Sequence, residues 1–152
     1  MTELNIRQKR EKREYALLNA WLWDLHANHL QWRRVRLGPL PTKELARMYS
    51  VLQRWADAIL IVDDIVWIVE AKVRPNFGAI GQLEGYAGLF PRTPEFTAYK
   101  DWPVQLVLLT MLTDMTIVDM CNKKGIRYEV YPIEKINLMR RSQGLPEMPM
   151  PQ

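Results

Sequence analysis

The fold is decided by residues 55–73, which read WADAILIVDDIVWIVEAKV. Two apolar runs flank Asp63-Asp64, so this stretch predicts a β-hairpin closed by a two-residue turn. In that register Asp57 lies directly opposite Glu70. Both faces of the hairpin are apolar, which is typical of strands that another layer covers on each side.

Charged residues stand at the far end of this apolar hairpin. Asp57 opposite Glu70 is destabilising, and burial increases the cost of both charges. Protonation of one carboxyl or a bound cation would relieve the repulsion, and carboxylate and carbonyl oxygens suit Mg²⁺ or Mn²⁺. Lys72 shares the face of Glu70 by strand alternation. An ordinary cross-strand ion cluster at the solvent edge is the alternative.

Strands and helices alternate along the rest of the chain. The predicted order is helix 7–29, a strand and turn in 31–41, short helix 43–52, the hairpin, helix 79–90, loop 92–103, strand 104–112, helix 114–125, strand 126–131 and helix 132–142. This alternation predicts an α/β fold with one mixed central sheet flanked by helices. We expect a single domain over residues 1–141 and a flexible, Pro-rich tail over 142–152.

Composition and charge set weaker limits. The 152 residues carry a formal charge of +4 with a pI near 9.3, which favours a polyanionic partner. The single cysteine, Cys121, excludes an internal disulfide and a four-cysteine metal site, and it fits a core residue or a reactive thiol. The start of the sequence lacks the apolar run of a signal peptide, and the longest uncharged apolar runs are too short to cross a bilayer. We therefore expect a cytoplasmic protein outside the membrane.

Two motifs in the predicted order resemble a known nuclease family. Asp57 followed by Glu70-Ala71-Lys72 resembles the D…ExK signature of the PD-(D/E)xK nuclease superfamily. Gln82 and Tyr86, in GQLEGY, match the QxxxY motif of its RecB-like members. The resemblance covers roughly residues 14–111, with alanine in place of the proline before the aspartate. It implies a restriction-endonuclease-like fold and metal-dependent hydrolysis of DNA.

The resemblance also implies roles for individual residues. Asp57, Glu70 and the carbonyl of Ala71 would hold Mg²⁺ or Mn²⁺. Lys72 would orient or activate the attacking water. Gln82 and Tyr86, one helical turn apart, would contact the substrate phosphate or support the site.

The family often has a further acidic or histidine ligand on its first helix. Glu14 is our candidate for this metal ligand because it lies on the face of Leu18, Leu22 and Leu25. The rivals are Glu11, His26 and His29. The two histidines of HANH have the spacing of a zinc pair, but without companion ligands they also fit an ordinary pair at a helix end.

Basic and aromatic residues are candidates for nucleic-acid contact. Arg54 and Arg74 flank the predicted site, and phosphate contacts of this kind give affinity without sequence information. Further cations stand in two clusters: Arg7, Lys9, Arg10, Lys12 and Arg13, and Arg33, Arg34 and Arg36. The first cluster also fits a solvated helix end. The tryptophans available to stack on bases or to fill the core are Trp21, Trp23 and Trp32.

Two functions from different classes follow from these observations. The first is a Mg²⁺- or Mn²⁺-dependent deoxyribonuclease that uses a metal-activated water, with homo-oligomerisation left open. The second is a catalytically silent nucleic-acid-binding or assembly protein that keeps the nuclease fold. The intact set of Asp57, Glu70 and Lys72 favours the nuclease, because a silent copy has no need of buried like charges. The sequence leaves open endo- or exonuclease action, strandedness, DNA or RNA, one or two metals, and a bacterial, phage or other mobile-element pathway.

Overall fold

A five-stranded mixed sheet lies at the centre of the protein. The computed structural model describes residues 3–39 and 54–150. The strands in this part of the chain are β1 (Gln31–Leu37), β2 (Arg54–Val62), β3 (Ile65–Lys72), β4 (Val104–Thr110) and β5 (Arg127–Val130). They lie side by side in chain order: β1, β2 and β3 are antiparallel, and β4 and β5 continue parallel to β3. The mixed central sheet predicted from the sequence is confirmed.

Helices flank this sheet. Those in the described residues are α1 (Glu3–Leu25), α2 (Phe77–Leu89), α3 (Met115–Lys123) and α4 (Ile133–Ser142), with 3₁₀ segments at Phe90–Arg92 and Pro94–Tyr99. The predicted loop at 92–103 was wrong in part, since the 3₁₀ segment Pro94–Tyr99 lies within it. The helix predicted at 43–52 falls outside the described residues. No described helix is long and apolar enough to span a membrane.

The hairpin has the register expected from its sequence. Its pairs run from Val62 opposite Ile65 to Ala58 opposite Val69. The turn residues Asp63 and Asp64 both have positive φ, at 51° and 63°. Positive φ at both central positions is what a tight hairpin turn needs in order to match the twist of its strands.

Both faces of the hairpin are buried, as predicted. One face packs against α1 and α4 through an apolar cluster that includes Trp21, Leu60 and Ile136. The other face packs against α2 and α3 through a cluster that includes Ile68 and Cys121. Burial raises the pKa of the Cys121 thiol, so this cysteine is a small core residue and not an activated nucleophile.

Part of the predicted tail contacts the domain. Met148 is buried, and its backbone N–H donates to Oδ1 of Asn137 on α4 at 2.7 Å. The Asn137 amide nitrogen in turn donates to the Met148 carbonyl at 3.0 Å. This pair of hydrogen bonds fixes the chain beside α4 as far as Met148, within a segment whose composition alone predicts flexibility.

Candidate active site

Asp57 lies where the regular pairing of the hairpin ends. Its Oδ2 accepts a hydrogen bond from the backbone N–H of Ala71 at 2.8 Å. Across the sheet, Arg34 of β1 has a φ of 48°, and the pairing passes from Arg33–Ala58 to Val35–Ala56 on either side of it. The hydrogen bond from Ala71 holds the Asp57 side chain on β3, directly beside Glu70.

Glu70 is a buried carboxyl group with three charged or polar neighbours. It is only 5% exposed, and Oε1 lies 3.4 Å from the Lys72 ammonium nitrogen. Oε2 lies 2.9 Å from the hydroxyl of Tyr86. Burial, and then the charge of Asp57, raise the pKa of Glu70 to about 7. Burial also raises the pKa of Asp57, so both carboxyls resist ionisation here.

Tyr86 links Glu70 to the backbone of β2. Its hydroxyl lies 3.0 Å from the carbonyl oxygen of Trp55 and 2.9 Å from Glu70 Oε2. The hydroxyl has one hydrogen and can donate to only one of these acceptors. Donation to Glu70 favours the ionised carboxylate and lowers its pKa against the effect of burial.

Glu14 of α1 is the third carboxyl near this pair. Burial raises its pKa, the charge of Asp57 raises it further, and Lys72 opposes the shift. Glu11 is exposed and its carboxylate binds Arg7 at 3.1 Å. Among the candidates on the first helix, Glu14 is therefore the one whose charge couples to Asp57 and Lys72.

The two histidines occupy a different environment. The helix predicted over 7–29 ends at Leu25, so HANH forms a turn beyond it. Nδ1 of His26 lies 2.9 Å from Nδ1 of His29, and the His26 ring packs on Trp21 and Trp67. Burial lowers the pKa of His26. These contacts fit an ordinary histidine pair packed at a helix end, which was the alternative to a zinc pair.

The donor atoms around Asp57 and Glu70 fit a hard divalent cation. The candidate ligand atoms are oxygens, and burial together with the charge of Asp57 raises the pKa of Glu70, a cost of ionisation that a bound cation would reduce. Within residues 3–39 and 54–150, no three Asp, Glu, His or Cys side chains form a ready metal cluster. A cation at this position would therefore depend on Asp57 and Glu70 together with backbone or water oxygens.

A basic cleft adjoins these carboxyls. It has a volume of about 610 Å³ and is lined by Glu14 and Lys72 together with further cations. Those cations are Lys9, Arg10, Arg13 and Arg74. Three members of the N-terminal cluster, Lys9, Arg10 and Arg13, therefore line a cleft beside the predicted site. Such a lining attracts a phosphate backbone.

Other residues that were predicted to contact nucleic acid lie near this site or away from it. Gln82 is exposed on α2, one turn before the buried Tyr86, and Arg54 is exposed at the start of β2. The positive charge of Arg54 acts on the Tyr86 hydroxyl. Arg36 lies elsewhere in an ion pair with Glu95 at 2.7 Å.

Two further residues lie near the site: Arg34, which was a candidate for nucleic-acid contact only, and Asn76, which was not among the candidates predicted from the sequence. Arg34 places a positive charge close to Asp57 and lowers its pKa against the effect of burial. Asn76 lines the basic cleft and caps α2, with Oδ1 accepting from the N–H of Ala79 at 2.9 Å. The asparagine before a predicted helix was a readable capping signal. The unusual backbone of Arg34 has no such sequence signal.

Comparison with known proteins adds no family assignment. A scan against protein-family models finds no match, and searches of curated proteins and of solved structures find no significant match either.

Proposed function

We propose that this protein is a Mg²⁺- or Mn²⁺-dependent nuclease with a restriction-endonuclease-like fold that hydrolyses phosphodiester bonds of DNA. The observation that carries this proposal is the partly buried Asp57 beside the buried Glu70, with Lys72 3.4 Å from Glu70. Buried like charges are costly, and a function that needs them explains their presence. The basic cleft beside them supplies a place for the substrate backbone.

The side chains have separate tasks in this proposal. Asp57, Glu70 and the Ala71 carbonyl would hold the divalent ion, and Glu14 would assist. When bound, that ion would polarise the scissile phosphoryl group and neutralise developing charge. The Ala71 N–H fixes the Asp57 carboxylate, which limits its reorganisation during the reaction.

Lys72 and the cleft cations act on the substrate. The Lys72 ammonium places a positive charge beside the carboxyl pair, where it orients the attacking water or stabilises negative charge on the phosphate. Arg10, Arg13 and Arg74 hold the phosphate backbone without reading bases. The resemblance implies products with a 5′-phosphate and a 3′-hydroxyl.

A catalytically silent nucleic-acid-binding protein is the second candidate function. The observation in its favour is that the carboxyls already have partners inside the protein: Asp57 accepts from Ala71, and Glu70 contacts Tyr86 and Lys72. A polar cluster satisfied in this way can serve the fold alone. Such a protein would bind DNA through the basic cleft and leave it intact.

Digestion of defined substrates separates these functions. Circular and linear DNA, each single- and double-stranded, would be incubated with the protein in Mg²⁺, in Mn²⁺ and in EDTA. We expect cleavage with either metal and none in EDTA, and cutting of circles would identify an endonuclease. Binding of DNA without cleavage in any metal would favour the silent protein. Equal cleavage in EDTA would contradict a metal-dependent reaction.

A further inference from the structure

A second groove lies on the other side of α1, between this helix and α4. Its volume is about 690 Å³, and its lining includes the aromatic residues Tyr15 and Trp23. The cations that line it are Lys12, Arg13, Arg33 and Arg140. No acidic side chain of the described residues lines it. We call it the aromatic groove.

The aromatic residues of this groove are unusually open to solvent. Trp23 is 69% exposed and Tyr15 is 60% exposed, whereas the neighbouring Trp21 is buried in the core. Tyr15 and Trp23 lie two helical turns apart on one face of α1, so their side chains start about 12 Å apart along the helix. Exposed rings next to cations are the combination that binds unpaired bases.

The cations are placed beside these rings. The guanidinium of Arg33 lies over the Tyr15 ring, 5.9 Å from its centroid, and donates to Asn19 on the same helix. Arg140 of α4 donates from Nε to the carbonyl of Pro146 at 2.7 Å, which holds its side chain at the groove. Positive charge therefore lies over the Tyr15 ring of α1 and also on the α4 side of the groove.

The aromatic groove adjoins the basic cleft of the candidate active site. Arg13 lines both, and Lys12 of the groove precedes Arg13, while Arg10 and Glu14 line the cleft. A strand lying along the groove therefore meets a continuous set of cations across α1 toward Glu14 and Lys72.

We propose that the aromatic groove binds single-stranded nucleic acid, with Tyr15 and Trp23 stacking on bases and the cations holding the phosphates. As the path of the substrate strand, this inference rests on the proposed nuclease function. The charge of the lining selects a polyanion, and the exposed rings select one whose bases are unpaired, because the bases of a duplex already stack on one another. A duplex would contact the cations, but its bases would not stack on the Tyr15 and Trp23 rings.

Binding to a labelled single strand and to a duplex of the same length, both in EDTA, tests this inference. Trp23→Ala and Tyr15→Ala are each expected to weaken single-strand binding about fivefold or more, with little change for the duplex. Arg140→Gln is expected to reduce the salt dependence of single-strand binding by about 0.7 in log–log slope. Met115→Ala and Lys123→Ala are matched controls on the opposite layer, and both are expected to bind like the wild type. Circular dichroism would verify that each variant is folded.

Three results would overturn the inference. Unchanged single-strand binding by folded Trp23→Ala and Tyr15→Ala would do so, as would equal losses on single strand and duplex. A wild-type dimer that Trp23→Ala dissociates, with single-strand affinity unchanged, would assign the groove to a second copy of the chain.

The two proposals fail separately. Trp23-dependent binding by a wild-type protein that cleaves nothing would refute the nuclease and keep the groove. Metal-dependent cleavage without Trp23-dependent binding would support the nuclease and refute single-strand binding by the aromatic groove.

Discussion

The hydroxyl of Tyr86 lies 2.9 Å from Oε2 of Glu70, inside the protein. The tyrosine of the QxxxY segment on α2 therefore contacts the glutamate of the ExK segment on β3. The resemblance implies two alternative roles for Tyr86, contact with the substrate phosphate or support of the site. Because Tyr86 is only 2% exposed, its position fits the supporting role. The same contact predicts how the tyrosine affects metal binding.

Tyr86→Phe is expected to weaken the binding of the metal ion that activity requires. Its hydrogen bond lowers the pKa of Glu70, so its loss favours the protonated carboxyl and raises the Mg²⁺ concentration needed for half-maximal cleavage. The variant also loses about 1–3 kcal/mol of unfolding free energy. Urea denaturation and cleavage against Mg²⁺ concentration measure the two effects.

Tyr131→Phe is the matched control for this experiment. The Tyr131 hydroxyl is also buried and donates to Asp24 at 2.8 Å, away from the Asp57–Glu70 pair. It should lose similar stability and keep the metal dependence of the wild type. The same shift in both variants would contradict a specific role for Tyr86.

Glu70→Gln is expected to stabilise the protein at alkaline pH in EDTA. Because the pKa of Glu70 is raised from 4.5 to about 7, its contribution to stability is full below about pH 4.5 and is lost as the pH rises through 7. The loss is roughly 3 kcal/mol at most, and glutamine avoids it. Urea denaturation of both proteins at about pH 5 and about pH 8 measures the difference.

The comparison isolates Glu70 and its neighbour Asp57 from distant titrating groups. The lowered pKa of His26 acts with the opposite sign, since stability is lost as the pH falls below about 6.5, but it acts equally in both proteins. A stability difference between wild type and Glu70→Gln that does not grow with pH would contradict the raised pKa.

Glu14→Gln is expected to reduce metal affinity without removing the Asp57–Glu70 pair. The Glu14 charge couples to Asp57 and Lys72, so its loss should lessen the rise in melting temperature that Mg²⁺ produces. Glu11→Gln, one turn away and paired with Arg7 at the surface, should respond to Mg²⁺ like the wild type. Equal responses of both variants would exclude Glu14 from the metal site.

The hairpin turn offers a test of the fold that leaves the chemistry intact. Asp63 and Asp64 both adopt positive φ, which Asn-Gly accommodates better than Asp-Asp. The double variant Asp63→Asn, Asp64→Gly should unfold with a free energy about 1 kcal/mol higher and cleave DNA at the wild-type rate. A destabilised double variant would show that the acidic side chains have a role outside the turn.

Local rules explain what the sequence predicted well. The turn length and the apolar pattern of 55–73 define the hairpin register, and that register brings Asp57 beside Glu70. The helical periodicity of α1 likewise placed Glu14 near the pair. Leu25, assigned to the same apolar face, is instead exposed at the helix end, because the helix stops there.

Other features depend on tertiary packing and have no local signal. The positive φ of Arg34 follows from how β1 meets β2 at Asp57. Three tryptophans were equal candidates for base stacking, yet Trp21 is buried, Trp32 packs on Phe96 and Trp23 is exposed. The packing of α1 and β1 against the rest of the fold distinguishes them, and the placement of α4 beside α1 forms the aromatic groove.

The most direct test of the central claim is the Mg²⁺-dependent cleavage rate of Asp57→Asn and Lys72→Ala. Asparagine keeps an acceptor for the Ala71 N–H but loses the charge, so Asp57→Asn should fold and bind DNA. Lys123→Ala on α3 controls for the loss of a lysine. We expect both site variants to cleave at least about a hundredfold more slowly than the wild type while Lys123→Ala is unaffected. Wild-type rates for Asp57→Asn and Lys72→Ala would contradict the proposed active site.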